Sequence, residues 1–333
     1  RRPETVIVQD PWWTATARHA DIVLPSTTAL ERNDLGIARS EPHLVAMQQV
    51  AQPYAQARND YDILTDIARH CGFQGAFTEG RNEMDWVRHL YDGAQQAAGE
   101  TGVNLPDFQT FWDQGVVRFT DPVQPRALLA DFRTDPAAHP LPTPSGKIEV
   151  FSQRVADFGY SDCPGHACWI APKEWLGADA NPPHMLHLIS NQPATRLHGQ
   201  MDNGAFSRAS KIDGREPAML NPADAAARGI KAGDTVRLFN ARGACLAGAC
   251  LSDDVAPGVV QLATGAWFNP EVPGQDDALD LHGNPNILTR DVGTSQLAQG
   301  PISHSALVAV ERVMSIMPAP TAFDPPMFQT PSA

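Results

Sequence analysis

The sequence predicts an α/β fold joined to a β-barrel, with a mostly helical segment between them. Three observations predict it. A short apolar strand, a helix-compatible stretch and a second apolar strand fill the first forty residues. Apolar residues then recur at helical spacing between 41 and 135. Beyond 184, short strands alternate with turn signals. With 333 residues, 42% of them apolar, the chain has material for two or three cores.

The first region, 1–40, opens with Val6-Ile7-Val8, ending at Gln9-Asp10 and followed by Pro11. Thr14 to Ala20 suits a helix, and Asp21-Ile22-Val23-Leu24 is a second strand closed by Pro25. Strand, helix, strand with flanking turn residues signals a parallel sheet, whose ligands sit at the carboxyl ends of strands. That rule points to Gln9, Asp10 and the segment after Pro25. In 41–135, Tyr61, Leu64, Ile67, Ala68 and Cys71 share one helix face, with Gly72 as a stop. Met84, Val87, Leu90 and Tyr91 repeat the pattern, and Phe108, Phe111 and Trp112 mark a third helix.

Residues 136–183 are rich in Pro and Gly and read as a linker with short strands. The barrel region, 184–316, begins with a strand from Met185 to Ile189. Asn221 and Pro222 then supply the N-cap and first residue of a short helix stopped by Gly229. Thr235 to Phe239 alternates with Val236 and Leu238 inward, Asn240 to Gly243 turns, and Cys245 to Leu251 returns. Val259–Leu262 and Ala306–Val313 supply further strands. The tail, 317–333, carries five prolines and is expected to be loose or draped over a neighbour.

Charge narrows the function. Against 25 basic residues stand 38 acidic ones, a net charge of -13, and a nucleic-acid or anionic-membrane surface is expected to be basic instead. No run of about 18 apolar residues is present, so no membrane-spanning segment is expected. Only 19% of residues are charged, which suggests a surface partly covered by more chain or by a partner. The chain starts at Arg1, and a piece of a longer protein is expected; neither compartment nor electron donor is written in it.

Self-sufficient chemistry is poorly supported. No phosphate loop, Gly-x-Gly-x-x-Gly fingerprint or Gly-x-Ser-x-Gly elbow occurs. Cys163, His166 and Cys168 invite a zinc reading, but their spacing is marginal and no fourth ligand is evident, so loop thiols are expected. Cys245 and Cys250 lie on opposite faces of one strand. Trp12 and Trp13 are expected in the core, and His19 and His70 on helix surfaces or in packing.

The segment Ser190-Asn191-Gln192-Pro193-Ala194-Thr195-Arg196-Leu197-His198-Gly199-Gln200 directly follows an apolar strand. It carries nearly every neutral donor and acceptor plus one arginine. Amide side chains can read the edge of a heterocycle, and Arg suits a pyrophosphate. Composition alone leaves open whether it is a ligand loop or a polar surface loop. His282-Gly283-Asn284-Pro285-Asn286 and Gln296 to Gln299 are similarly amide-rich, although turn chemistry accounts equally well for Asn284.

Several blocks carry a resemblance. They are Asp10-Pro11-Trp12-Trp13-Thr14-Ala15-Thr16-Ala17, Ala20-Asp21-Ile22-Val23-Leu24-Pro25, Glu31-Arg32-Asn33-Asp34 and Thr143-Pro144-Ser145-Gly146-Lys147-Ile148-Glu149. Ser190 to Gln200, Asn221-Pro222-x-Asp224-Ala225-Ala226 and Val236-x-Leu238-x-Asn240-x-x-Gly243 complete the set. In that order they resemble the carboxyl-terminal part of the molybdopterin oxidoreductases of the dimethyl sulfoxide reductase family. Leu188 to Gln200 and Gly243 to Ser252 most resemble its branch of biotin sulfoxide and trimethylamine N-oxide reductases.

The resemblance implies the end of a Rossmann-like domain, a helical segment and a double-psi β-barrel of the aspartate-decarboxylase-like type. It implies a bis(molybdopterin guanine dinucleotide) cofactor with molybdenum, and two-electron oxygen-atom transfer from a small sulfoxide or N-oxide. By position it places Gln9, Asp10, Arg32 and Asp60 near one guanosine. Ser190, Asn191, Gln192, Pro193, Thr195, Arg196, Leu197, His198 and Gly199 would wrap pterin and phosphates, and Trp267, Asn286 and Gln299 would complete the barrel side. It assigns no catalytic residue and no metal ligand here. The metal's serine ligand and half of the cofactor site belong to the amino-terminal half of the same enzyme, and this chain alone is not expected to turn over. The alternatives are a truncated, non-catalytic barrel module binding a guanine dinucleotide-type ligand and, last, an aspartate-decarboxylase-like enzyme, for which no Gly-Ser processing bond is evident.

Overall fold

In the computed structural model, residues 3–38, 42–118, 127–178, 182 and 184–326 are described. They belong to two compact units, Arg1–Leu141 and Pro142–Ala333. In the first, β1 (Ile7–Asp10), α1 (Ala15–Arg18) and β2 (Ile22–Pro25) follow one another, and the strands pair in parallel with Ile7 opposite Ile22 and Asp10 opposite Pro25. The helix starts where Thr14 accepts the Ala17 N–H, capping an otherwise orphaned donor. Trp12, expected inside, is 40% exposed, because the turn after Pro11 carries it outward.

The region expected to be helical, 41–135, also supplies two strands of a sheet whose third strand comes from the first forty residues. Antiparallel strands β3 (Asp34–Ile37), β4 (His43–Met47) and β5 (Val116–Arg118) pair in that order. Around them run α2 (Asp60–His70), α3 (Gln74–Thr78), α4 (Glu83–Glu100), α5 (Phe108–Gln114) and α6 (Ala130–Thr134). The core joins Leu44, Ala46 and Val117 of the sheet to Val87, Tyr91, Phe108 and Phe111 of the helices. Tyr91 stacks on Phe111 at 4.3 Å between ring centroids and donates its hydroxyl to Pro106 O. The helical spacing is as expected, but the buried face is rotated. Ile63 and Ala68 are buried in α2 while Leu64 and Ile67 are not, and Leu90 of α4 is exposed.

In the second unit, the described residues between 142 and 178 contain no strand, contrary to expectation. Pro and Gly interrupt any ladder there, and local bonds satisfy the backbone instead, such as Thr143 Oγ1 to Lys147 O at 2.7 Å. The one helix of this stretch among the described residues is α7 (Gln153–Ala156). Glu174 ties the stretch down by taking both guanidinium nitrogens of Arg242, at 2.7 and 2.9 Å, and the Leu307 N–H.

Six strands then close a barrel: β6 (Leu186–Ile189), β7 (Pro217–Leu220), β8 (Thr235–Asn240), β9 (Gly243–Leu251), β10 (Val259–Leu262) and β11 (Ala306–Arg312). Around it the order is β10-β6-β11-β8-β9-β7. The β10–β6 and β7–β9 pairs are parallel and the others antiparallel. Alternation fills the interior: Leu186 and Leu188, Val236 and Leu238, and Val260 and Leu262 all point inward and are buried. β9 departs from alternation because its outer face is covered too: Leu246 is fully buried there, and at Gly248 only a glycine fits. A Cβ on Gly248 would lie 2.3 Å from Ile212. Short helices α8 (Ala205–Ala209) and α9 (Pro222–Ala226) decorate the barrel, the latter capped by Asn221 as expected. The described part of the tail, up to residue 326, lies on its own barrel unit, with Ala322 buried and Thr321 bonded to Asn269.

Candidate functional site

In the first unit, parallel pairing sets the carboxyl ends of β1 and β2 side by side. Gln9 there donates Nε2 to Asp60 Oδ1 at 3.1 Å, joining two predicted residues 51 positions apart. Asp10 is committed to its own turn, accepting the Trp12 N–H at 2.9 Å and the Thr14 hydroxyl at 3.0 Å. Arg32 donates to Thr27 O at 3.2 Å and lies 3.4 Å from Asp34. Thr27 is buried, and its hydroxyl has no hydrogen-bond partner among the described residues. Its place in the segment after Pro25 is the only sequence signal that singles it out.

In the second unit, loop 190–200 leaves β6 and folds back on itself. Gln192 accepts the His198 N–H at 3.1 Å and donates Nε2 to His198 Nδ1 at 2.6 Å. Gln192, Leu197 and His198 face outward and are exposed, whereas Ser190 and Arg196 are buried. The loop is pressed against the segment after β10: Thr264 N donates to Asn191 O at 2.9 Å, and Trp267 Nε1 donates to Gly199 O at 2.7 Å. Trp267 therefore holds the loop through its indole N–H. Asn191, Pro193 and Thr195 line a cavity of about 170 Å³ with Ser210, Met219 and Gln261. Asn191 Oδ1 and Thr195 Oγ1 are buried without a hydrogen-bond partner among the described residues.

Arg196 differs from the phosphate ligand expected of it. Its side chain is fully buried, with Nε 3.3 Å from Asp202 Oδ1 and NH2 3.1 Å from Glu216 Oε2. It also donates to His198 O at 3.2 Å, Thr264 O at 2.8 Å and the Ser207 hydroxyl at 3.3 Å. Lys211 bridges the same carboxylates at 2.7 and 2.5 Å. Two cations and two anions cancel, so the guanidinium offers no spare charge. Burial opposes ionisation of Asp202, but Lys211, His282 and Arg196 hold its carboxyl below the usual range. Sequence reading missed Asp202, Lys211 and Glu216, since no periodicity links them to Arg196.

A second buried pair lies beside this cluster. Asp280 accepts four backbone N–H groups, from Asn269, His282, Gly283 and Asn284. His282 Nδ1 lies 2.9 Å from Trp267 O, so Nδ1 carries a proton and donates it to that carbonyl. Burial raises the Asp280 carboxyl to about 6 despite its four donors. Burial, then Lys211, lower His282 to about 4 despite Asp202.

These shifts have opposite signs. Between about pH 4 and 6.5 the unfolded chain protonates His282 and the folded chain does not, so acidification weakens the fold. Between pH 3.8 and about 6 folded Asp280 retains a proton that the unfolded carboxylate has lost, so acidification strengthens it. His282→Gln should remove the first slope alone. Relative to the native chain, its urea midpoint should improve steadily from pH 7 down to pH 4. A pH-independent difference would show that His282 is not held neutral.

On the barrel's other loops, Asn286 and Gln299 line one cavity of about 700 Å³ with Thr289 and Arg290. Asn284, by contrast, makes a turn, accepting the Asn286 N–H at 2.9 Å. Cys163 is half-buried and Cys168 exposed. Among the described residues no three His, Cys, Asp or Glu side chains gather as a metal site, and no helix is long and apolar enough to cross a membrane.

Comparison with known proteins gives two family matches. Residues 1–70 match the family described as "Molybdopterin oxidoreductase", and residues 186–307 match "Molydopterin dinucleotide binding domain". The chain is 50% identical over 313 residues to biotin sulfoxide reductase of Cereibacter sphaeroides, covering 93% of this chain and 41% of that protein. It is 45% identical over 332 residues to trimethylamine-N-oxide reductase of Salmonella typhimurium, covering 98% of this chain and 39% of the relative. The chain thus spans about 40% of the length of the curated relatives it matches. Among solved structures, acetylene hydratase from Pelobacter acetylenicus superposes with a TM-score of 0.70 at 18% identity, over 93% of this chain and 40% of the hydratase.

Proposed function

The chain belongs to the molybdopterin oxidoreductase family, and on that premise we propose that it is the carboxyl-terminal cofactor-binding part of a molybdenum-dependent sulfoxide or N-oxide reductase. The observation that carries the proposal is the pair of uncommitted oxygens, Asn191 Oδ1 and Thr195 Oγ1, in residues that line the cavity at loop 190–200. A buried acceptor left unpaired costs about 1–3 kcal/mol. The edges of a pterin or guanine ring carry the N–H donors that such acceptors lack. A cavity of about 170 Å³ has room for about one aromatic ring. The residues therefore suit the edge of one ring of a molybdopterin guanine dinucleotide.

The chain's own share of the work is to bind, orient and exclude water. Asn191, Thr195 and Ser190 would hold one heterocycle, with the outer face of the loop, Gln192, Leu197 and His198, against the rest of the cofactor. Asn286, Gln299 and Arg290 would take a polar portion in the larger cavity. Arg196 and Trp267 shape the loop from behind. In the first unit Gln9, Asp60 and Arg32 would meet a guanosine, with Asp10 fixing the turn beside them; we read β1, α1 and β2 as the end of a Rossmann-like domain and the barrel as double-psi. When bound, the cofactor supplies two-electron oxygen-atom transfer. Sulfoxides and amine N-oxides are the substrates favoured, because the relatives at 45–50% identity are named for them. The same likeness disfavours a non-catalytic barrel module.

The test is purification of the full-length protein from cells that make the cofactor. Stoichiometric molybdenum, pterin fluorescence after oxidation and methyl viologen-dependent reduction of a sulfoxide or amine N-oxide are expected. Material that folds and carries no pterin under those conditions would sink the proposal.

A further inference from the structure

The carboxyl-terminal segment is anchored at three points. Arg215 NH2 donates to Pro318 O at 2.6 Å. Thr321 and Asn269 exchange two hydrogen bonds, Thr321 N to Asn269 Oδ1 at 2.7 Å and Asn269 Nδ2 to Thr321 Oγ1 at 3.2 Å. Phe323 sets its ring edge-to-face against His282 at 4.9 Å and against Trp267 at 5.5 Å between centroids, with the Arg208 guanidinium 5.6 Å from its own centroid. A proline-rich chain held this way has lost its freedom at many residues, and the apolar seat of Phe323 and Ala322 offsets that loss.

Of these three anchors, the Phe323 ring is the one that meets Trp267, directly and through His282. The Trp267 backbone N–H donates to Asp202 Oδ2 at 3.0 Å, its carbonyl accepts from His282, and its indole N–H holds Gly199 O. Tryptophan has two side-chain torsions, and the hydrogen bond to Gly199 survives only in one setting of them. The Phe323 ring packs edge-to-face against the indole in that setting.

From this geometry we infer that Phe323 is a positioning residue: the tail is a strap that fixes the Trp267 indole and, through it, the ligand-facing loop 190–200. The inference rests on the reading of that loop as a cofactor contact. Phe323 meets Trp267, His282 and Arg208, and the indole N–H to Gly199 is the link from that group to the loop.

That routing is testable in the full-length reductase by a double-mutant cycle on cofactor release, followed as pterin fluorescence after dilution into cofactor-free buffer. Phe323→Ala should speed release on the order of tenfold, and Trp267→Phe, which removes the N–H donor, by a similar factor. Because both break one connection, the double variant should release no faster than the faster single. Phe323→Tyr should restore the native rate, and Phe323→Leu, which keeps apolar bulk and folds more readily, should fall between. A parallel KM and kcat measurement should show the loss as lower occupancy, not weaker substrate binding. Multiplying effects, about a hundredfold in the double variant, would overturn the inference, as would a native release rate in Phe323→Ala or Phe323→Leu. If the unaltered protein carries no pterin, the underlying reading fails instead.

Discussion

Replacing Arg196 with alanine is expected to destabilise the barrel unit by about 3–5 kcal/mol, the range for breaking a buried ion pair by removing one partner. The cause is charge, not a missing ligand contact. Without the guanidinium, Asp202 and Glu216 share Lys211 alone, and a buried net negative charge appears where there was none. His198 O and Thr264 O lose their Arg196 donor as well, so the loop is held to the segment after β10 by fewer bonds, those of Thr264 N and Trp267 Nε1. In chemical unfolding the midpoint should fall with little change in slope.

Arg196→Met paired with Glu216→Gln separates the explanations. It restores one cation against one anion and should recover a large part of the loss. Were Arg196 a phosphate ligand, the pair would recover nothing in cofactor content. An Arg196→Ala chain within about 0.5 kcal/mol of native, the usual range for surface substitutions, would remove the cluster from the argument.

The contrast between loop and cluster shows what could be read from residues in order. Loop 190–200 was legible because a polar run following an apolar strand is a local signal. Barrel strands were legible wherever one face is buried, as in Leu186 and Leu188 or Val236 and Leu238. The cluster beneath the loop was not, because Asp202, Lys211 and Glu216 meet Arg196 only after β6 and β7 have paired with β10. The sheet β3-β4-β5 escaped for a similar reason. His43–Met47 and Val116–Arg118 are short and lie some seventy residues apart, and nothing local announces that they pair. In α2 and α4 the helical period was visible and its buried face was not. Spacing fixes how apolar residues are arranged around a helix, while the partner surface decides which are covered. Leu64, Ile67 and Leu90 are exposed for that reason.

Gly265→Ala should be the most damaging small substitution in the second unit. Gly265 has φ +91°, and a Cβ there would lie 1.8 Å from His198 O, 2.2 Å from His198 C and 2.8 Å from Gly199 N. Every atom met is backbone, so no side chain can rotate out of the way. Two penalties add: about 1 kcal/mol for an L-residue at positive φ, and an overpacking term of about 1–3 kcal/mol or more. Gly229→Ala isolates the first, since Gly229 has φ +62° and nothing within 4 Å of its Cβ position.

The difference between the two variants therefore measures how tightly loop 190–200 is pressed onto the segment after β10. Relief of the clash requires His198 and Gly199 to retreat by more than an ångström, out of reach of the Trp267 indole N–H. Gly265→Ala should consequently lower both the unfolding midpoint and, in the full-length protein, pterin retention, whereas Gly229→Ala should lower the midpoint alone. Equal losses of stability in the two variants would mean that the loop stands off from Gly265 in solution. The Trp267 connection to Gly199 would then not exist.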